Sequence, residues 1–181
     1  LYGAPALTLE EFQNYKPDWV IGASVRLGVP LGQYESDKLV NIGANRWSVK
    51  PEIGISKTWN DWTLELSPGV IFFTDNDDFL GGKTREQDPI YAFQAHLSYT
   101  FRPGMWAAID GTYYGGGRTT VDGVEGNDLQ SNTRIGATFS MPLSQQHSLK
   151  LYASTGVSTR TGTDFQVVGI AWQIRWGGRT N

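Results

Sequence analysis

IYAFQAHLSYTF, residues 90–101, decides the fold. Tyr91, Phe93, Ala95, Leu97, Tyr99 and Phe101 alternate with Ala92, Gln94, His96, Ser98 and Thr100. A period of two sends each set to one side of a strand, whereas a helix would scatter the aromatics around its whole circumference. With the apolar face outward, the surroundings are lipid and the protein is a transmembrane barrel; with the polar face outward, it is a soluble barrel or sandwich.

The same alternation recurs on both sides of this stretch. It predicts strands over 18–29, 46–57, 62–72, 90–101, 107–114, 132–141, 148–160 and 168–176. Pro51 removes a ladder donor and predicts an irregularity in the second strand. Asn60 and Asp61, and Arg102 to Gly104, read as turns, and Pro142 closes the sixth strand. The connections alternate in length: long at 30–45, 74–89 and 115–129, short at 58–61, 102–105 and 142–147. Short turns on one rim and long loops on the other are the outer-membrane barrel pattern, and only the link at 161–164 is shorter than the pattern asks. Trp19, Trp47, Trp59, Trp62, Tyr99, Phe101, Trp106 and Trp176 sit near strand ends, where amphipathic rings meet lipid headgroups. On the polar face, Gly22, Ser24, Gly28, Ser48, Gly54, Ser56, Ser67 and Gly69 are small, as a crowded lumen requires; a solvated surface would carry more long charged side chains.

Residues 1–16 read differently. Thr8 and Glu11 have capping-box spacing, and Leu9, Phe12 and Tyr15 recur at helical spacing, so one short helix is expected before Pro17. The expected organisation is this N-terminal segment, a barrel over 17–176 and a tail over 177–181. At 181 residues the chain is one domain by length. No apolar run approaches the ~18 residues of a membrane-crossing helix. The absence of cysteine excludes disulfides and thiolate chemistry, and a net charge of −3 argues against nucleic acid as a partner. The sequence starts at Leu1 without Met, so a leader or further N-terminal strands are expected ahead of it.

The polar face holds Arg26, Lys50, Arg134, Lys150, Arg160 and Arg175 against Glu52, Glu65 and Asp110. An excess of cations lining a pore favours anionic solutes; if the charges pair with one another instead, they plug the interior. The residues expected to line the lumen are Arg26, Lys50, Glu52, Glu65, His96, Asp110, Arg134 and Arg175. Pairing across 161–164 would set Lys150 beside Arg175. His96 and Ser98 share a face, and the turn at 102–105 folds Asp110 opposite His96, which makes these three the candidate catalytic set of a Ser-His-acid hydrolase. They lie away from acyl chains, and no oxyanion donor accompanies them. The loop acids Asp75, Asp77, Asp78, Glu86, Asp88, Asp122, Glu125 and Asp128 could attract divalent cations. Asp75 to Phe79 does not match a calcium loop, so these acids read as solvated, and neither a metal nor a cofactor is predicted. Gly115 to Gly117 reads as a flexible tip.

Four stretches carry a resemblance: LVNIGANRWSVKPEIGISK from Leu39, DNDDFLGGKTREQDP from Asp75, WAAIDGTYYGGGRTTVDG from Trp106 and LKLYASTGVSTRTG from Leu149. In these the chain resembles the outer-membrane β-barrel family of transporters associated with the meta-cleavage pathway of phenol degradation. The resemblance implies a barrel that passes small, often aromatic or hydrophobic, compounds. It also implies longer chains of about twelve strands, so that this sequence would be a C-terminal portion; eight strands close a barrel just wide enough for its own side chains to fill. The combined expectation is an all-β, antiparallel transmembrane β-barrel with about eight strands in this chain, set in the outer membrane of a Gram-negative bacterium. Its expected partners are the lipid bilayer and small aromatic or anionic solutes, and its expected role is a channel or transporter rather than an enzyme. The competing readings are a barrel hydrolase and a soluble ligand-binding β-barrel.

Overall fold

The computed structural model of the protein describes residues 2–3, 6–8, 11, 15, 18–162 and 164–176. Its strands are β1 (Trp19–Gly28), β2 (Ser48–Trp59), β3 (Trp62–Phe73), β4 (Asn76–Phe79), β5 (Lys83–Gln87), β6 (Ile90–Arg102), β7 (Met105–Gly116), β8 (Thr119–Val121), β9 (Val124–Glu125), β10 (Gln130–Pro142), β11 (His147–Ser158) and β12 (Val167–Ile174). Eight of them form one sheet in the order β1-β2-β3-β6-β7-β10-β11-β12, every pair antiparallel. These are the eight strands that the alternation predicts. Among the described residues β1 and β12 do not pair, so this sheet is a curved wall with two edges rather than a closed barrel.

Burial is inverted relative to a water-soluble protein. The polar face is the sheltered one, with Lys50 8% exposed, Ser140 3% and Ser148 5%. The apolar face stands open, with Ile109 62% and Ile135 52% exposed in the middle of the sheet. Water would penalise this arrangement heavily; hydrocarbon against the apolar face makes it the stable one. The apolar face also carries an aromatic belt near the short turns. Trp62 lies against Tyr99 with ring centroids 4.9 Å apart, Tyr99 against Phe101 at 5.0 Å, and Phe101 against Phe139 at 6.5 Å. At the opposite end of the outer face sit Phe72, Tyr91, Phe93 and Tyr113. Tyr91 and Phe101 are ten residues apart on β6. That separation is about 34 Å along the strand and about 26 Å along the membrane normal at a tilt of about 40°, close to the ~25 Å height of an outer-membrane apolar band. Its midpoint falls at His96. Trp106 departs from the expected belt: it pairs with Thr100 and Ser140 on the polar face, where Lys150 lies 6.0 Å from its ring.

The connections sharpen the two-rim pattern. Residues 60–61, 103–104 and 143–146 are the short turns. The link between β11 and β12 runs from 159 to 166, longer than the expected 161–164, which removes the exception. A bulge helps to end β11 early: Arg134 faces Gly156 and Thr133 faces Ser158, leaving Val157 without an opposite partner. Around Pro51, pairs drop out of the β2–β3 ladder while the register holds from Val49–Phe72 through Glu52–Gly69 to Ile55–Leu66, so the expected irregularity costs hydrogen bonds and not alignment.

The long loops are not irregular. Strands β4, β5, β8 and β9 form a second, four-stranded antiparallel sheet in that order. Between β8 and β9, Asp122 and Gly123 turn with φ of 48° and 78°, a left-handed pair that Asp tolerates and Gly prefers. The backbone amide and carbonyl of Thr84 bond the Asp122 side chain at 2.9 Å and the Asp122 amide at 3.0 Å, fastening β5 to that turn. Gly115 to Gly117, expected as a flexible tip, are instead packed: Gly116 (φ 99°) ends β7 where a Cβ would collide with the Pro89 carbonyl oxygen.

The helix expected over 1–16 falls largely outside the described residues, as does the tail over 177–181. Thr8 and Glu11 do form the reciprocal capping contacts, Thr8 N and Oγ1 donating to Glu11 Oε2 at 2.8 and 2.9 Å and Glu11 N to Thr8 Oγ1 at 3.3 Å. These bonds hold the Glu11 carboxyl below its usual range.

Candidate functional site

Because β-ladders place partners directly opposite, the polar residues of the inner face line up in rows across the strands. The central row runs Ser56, Glu65, His96, Asp110, Gly136, Ser154. His96 Nδ1 contacts Asp110 Oδ1, and Thr138 donates to Asp110 Oδ2 at 3.5 Å. Glu65 stands on the other side of His96. Ser98 belongs to the next row towards the short turns, with Thr63 and Ala108, and its hydroxyl donates to the Thr63 carbonyl at 3.4 Å. The candidate Ser-His-acid set is therefore assembled only in part: the acid and imidazole meet, while the hydroxyl points to backbone.

The cations are distributed over the height of the wall. Arg26 and Lys50 are direct cross-strand partners near the long-loop rim. Lys50 is paired with Glu52. Arg134 sits on β10 opposite Thr112 and Gly156; it lies 3.9 Å from the Phe165 ring and donates to Phe165 O at 2.8 Å and Ser154 Oγ at 3.3 Å. Lys150 lies lower, over Trp106. Among the described residues Arg26, Arg134 and Lys150 have no carboxylate within ion-pair distance, so the inner face keeps cations that its own acids do not neutralise. Arg134 and Lys150 share an open hollow of about 480 Å³ with Gln94, Asp110, Thr112 and Tyr152. A larger hollow of about 860 Å³, walled by Leu97, Ile109, Ala137 and Ile170, lies on the outer face and is a lipid contact.

Seven of the eight expected lining residues thus sit on inner-face strand positions. Arg175 does not: it follows β12, and its amide donates to Gln146 O at 2.8 Å at the short-turn rim. Lys150 faces Ala171 instead, because the ladder starts at Ser154–Val167 and Thr155–Ser158 run past the start of β12, four residues off the register of a tight turn about 161–164, so the expected like-charge contact with Arg175 is absent. Arg160 likewise lies beyond β11, with its amide on Asn132 Oδ1 at 3.0 Å. Of the loop acids, Asp122, Asp128 and Glu125 are used as hydrogen-bond acceptors or ion-pair partners. Asp128 accepts from Thr119 N at 2.9 Å and Oγ1 at 2.6 Å, and Glu125 pairs with Arg118 at 2.7 Å. Sequence reading missed Arg46 and Phe165 and did not single out Tyr152, although the alternation puts Tyr152 on the polar face with Lys150; Arg46 carried a signal in sharing the parity of Lys50, and Phe165 carried none.

A polar, cation-bearing inner face, an exposed apolar outer face with aromatic belts and alternating short and long connections define the wall of an outer-membrane β-barrel. The chain belongs to the family described as "Putative MetA-pathway of phenol degradation", whose family model matches residues 1–174. It is similar to the crystal structure of an outer membrane channel from Pseudomonas putida F1, with a TM-score of 0.75 and 28% identity over 85% of this chain and 58% of that one. The chain therefore spans somewhat over half the length of that channel, and the likeness supports an outer-membrane location. Among curated proteins nothing matches the chain.

Proposed function

We propose that the protein is part of the wall of an outer-membrane channel that passes small anionic compounds, aromatic acids among them. The observation that carries this reading is the set of unneutralised cations on the inner face, Arg26, Arg134 and Lys150, at successive heights between the long-loop rim and the short turns. Charged groups lining a narrow polar passage set the sign of what enters, and an anion moving from one cation to the next is never far from a partner. Arg134 against Phe165 and Lys150 above Trp106 add aromatic surface beside the charge, which suits a planar acid. Among the described residues Tyr2 pairs with the β1 edge at Ile21 through two backbone bonds; the rest of that edge and the edge of β12 offer backbone donors and acceptors that hydrocarbon cannot satisfy, so this reading requires further strands beside them to complete the wall.

The test is the reversal potential of the full-length protein in a planar bilayer under a salt gradient. An anion-selective current is expected, with Arg134→Gln and Lys150→Gln each moving the reversal potential towards the unselective value. Cation selectivity, or selectivity indifferent to both substitutions, would overturn the proposal.

A further inference from the structure

Arg46 precedes β2 and continues the inward parity of Ser48 and Lys50, which places it at the mouth of the inner face. Its guanidinium carbon lies 4.4 Å from the centre of the Phe73 ring, and Nη2 donates to Gln87 Oε1 of β5. Nη1 is buried and has no acceptor among the described residues. Arg85, also on β5, lies 5.1 Å from the Phe79 ring. Both arginines border a pocket of about 190 Å³ between the 30–47 loop and the small sheet, whose walls include Leu39, Ile42 and Phe79.

The other polar groups of this pocket are already engaged. Asn76, 2% exposed, donates to Tyr34 Oη at 2.8 Å and accepts from Asn45 at 2.9 Å and Asp78 N at 3.2 Å. Asn41 bonds the backbone of Glu35 on both sides at 2.8 and 3.0 Å and Lys38 O at 2.8 Å. What remains is donor capacity and positive charge. Burial, with Arg85 adding to it, pushes the Arg46 guanidinium down to about 10, against a smaller opposing pull from Asp75. Arg46 is still charged at neutral pH, and a buried guanidinium with a spare N–H is stabilised by an acceptor carrying negative charge.

We propose that Arg46 and Arg85 form an anion-binding site in the outer cap that takes a small aromatic carboxylate, the carboxylate on the guanidiniums and the ring against Leu39, Ile42 and Phe79. The volume fits one ring, since cavities of about 150 Å³ accept benzene. An arginine fork engages a carboxylate through two parallel N–H bonds, which fixes the orientation of the ring behind it. The site rests on the channel reading only in facing the outside of the cell and the route inwards.

Benzoate binding to the full-length protein in zwitterionic detergent tests the site, read by isothermal titration and by saturation-transfer NMR. Saturable binding is expected, weakened at least tenfold by Arg46→Gln and by Arg85→Gln, with benzyl alcohol and chloride failing to compete. The unheated gel mobility of each variant reports folding; if Arg46→Gln loses it, Arg85→Gln decides, because no hydrogen bond of the Arg85 side chain holds the cap together among the described residues. Wild-type affinity in the folded variant, no benzoate binding to the parent protein, or stronger competition by inorganic phosphate than by unlabelled benzoate would each overturn the proposal. Binding in detergent requires no current, so its failure leaves anion selectivity untouched, and a silent bilayer leaves the binding result intact.

Discussion

Ala137→Arg and Thr138→Arg place the same charge at nearly the same depth on opposite faces of β10. Ala137 lies in the row Leu97, Ile109, Ala137, Ala153, one residue from the central row that contains His96. That is about 3 Å from the membrane midplane at the strand rise and tilt used above. Its surroundings are the outer hollow walled by Leu97, Ile109, Leu151 and Ile170, which offers the guanidinium no acid. Arginine facing lipid near the midplane costs about 2–4 kcal/mol, or roughly a 30- to 900-fold shift of the folding equilibrium at about 1.36 kcal/mol per tenfold. Thr138 faces the lumen, its hydroxyl 3.5 Å from Asp110 Oδ2, so an arginine there meets water and a carboxylate. A change within about 1 kcal/mol is expected at that position. Folded fraction against urea in vesicles of the full-length protein, scored by unheated gel mobility and tryptophan fluorescence, measures both. Equal losses, or a larger loss for Thr138→Arg, would mean that the faces have been assigned the wrong way round.

Tyr99→Ala removes the centre of the aromatic belt, with rings at 4.9 and 5.0 Å on either side, and should cost about 1–3 kcal/mol beyond the lost area in the same urea titration. Gly116→Ala forces a side chain into a φ of 99° against the Pro89 carbonyl; a loss of about 1–3 kcal/mol is expected, and an unchanged melting temperature would show that this crossing is not tight. Asp128 is pushed up by burial but pulled further down by the hydroxyl and amide of Thr119, so its folded carboxyl titrates below its ordinary value of 3.8. A depressed carboxyl contributes stability that is fully present above its unfolded value and is lost as pH falls through the folded one. Amide exchange across β8 should therefore accelerate in strong acid, and Asp128→Asn should abolish that dependence; protection unaltered by acid in the parent protein would contradict it.

The eight wall strands were legible because lipid outside and a polar lumen inside impose one pattern on every strand, and no helical period competes with it. The central pair His96–Asp110 was expected from the turn at 102–105, although a two-residue turn at 103–104 would by itself set His96 opposite Gly111; a bulge between Thr100 and Arg102 shifts the register by one and brings Asp110 there. Register was lost where the link was not a tight turn. The expected contact between Lys150 and Arg175 assumed a hairpin about 161–164, and neither the Val157 bulge nor the longer loop leaves a mark in the alternation. The small sheet escaped for another reason. NDDF, TTV and VE are too short and too polar to show a period, because a small sheet built from the long loops has no apolar solvent to separate its faces. Its only marks in the sequence are the turn dipeptides Gly81–Gly82 and Asp122–Gly123, both hairpin signals. Arg46 shares the inward parity of Lys50 in sequence, but its burial is not legible there, because the segments that cover it adjoin it only in space.

The small sheet draws its strands from two different loops: β4 and β5 lie between β3 and β6, β8 and β9 between β7 and β10, and the β5–β8 ladder joins Arg85, Glu86 and Gln87 to Val121, Thr120 and Thr119. Neither half can complete it alone. Pulling either loop away from the other therefore means breaking the three β5–β8 pairs, so the two loops are tied together as one unit rather than moving separately.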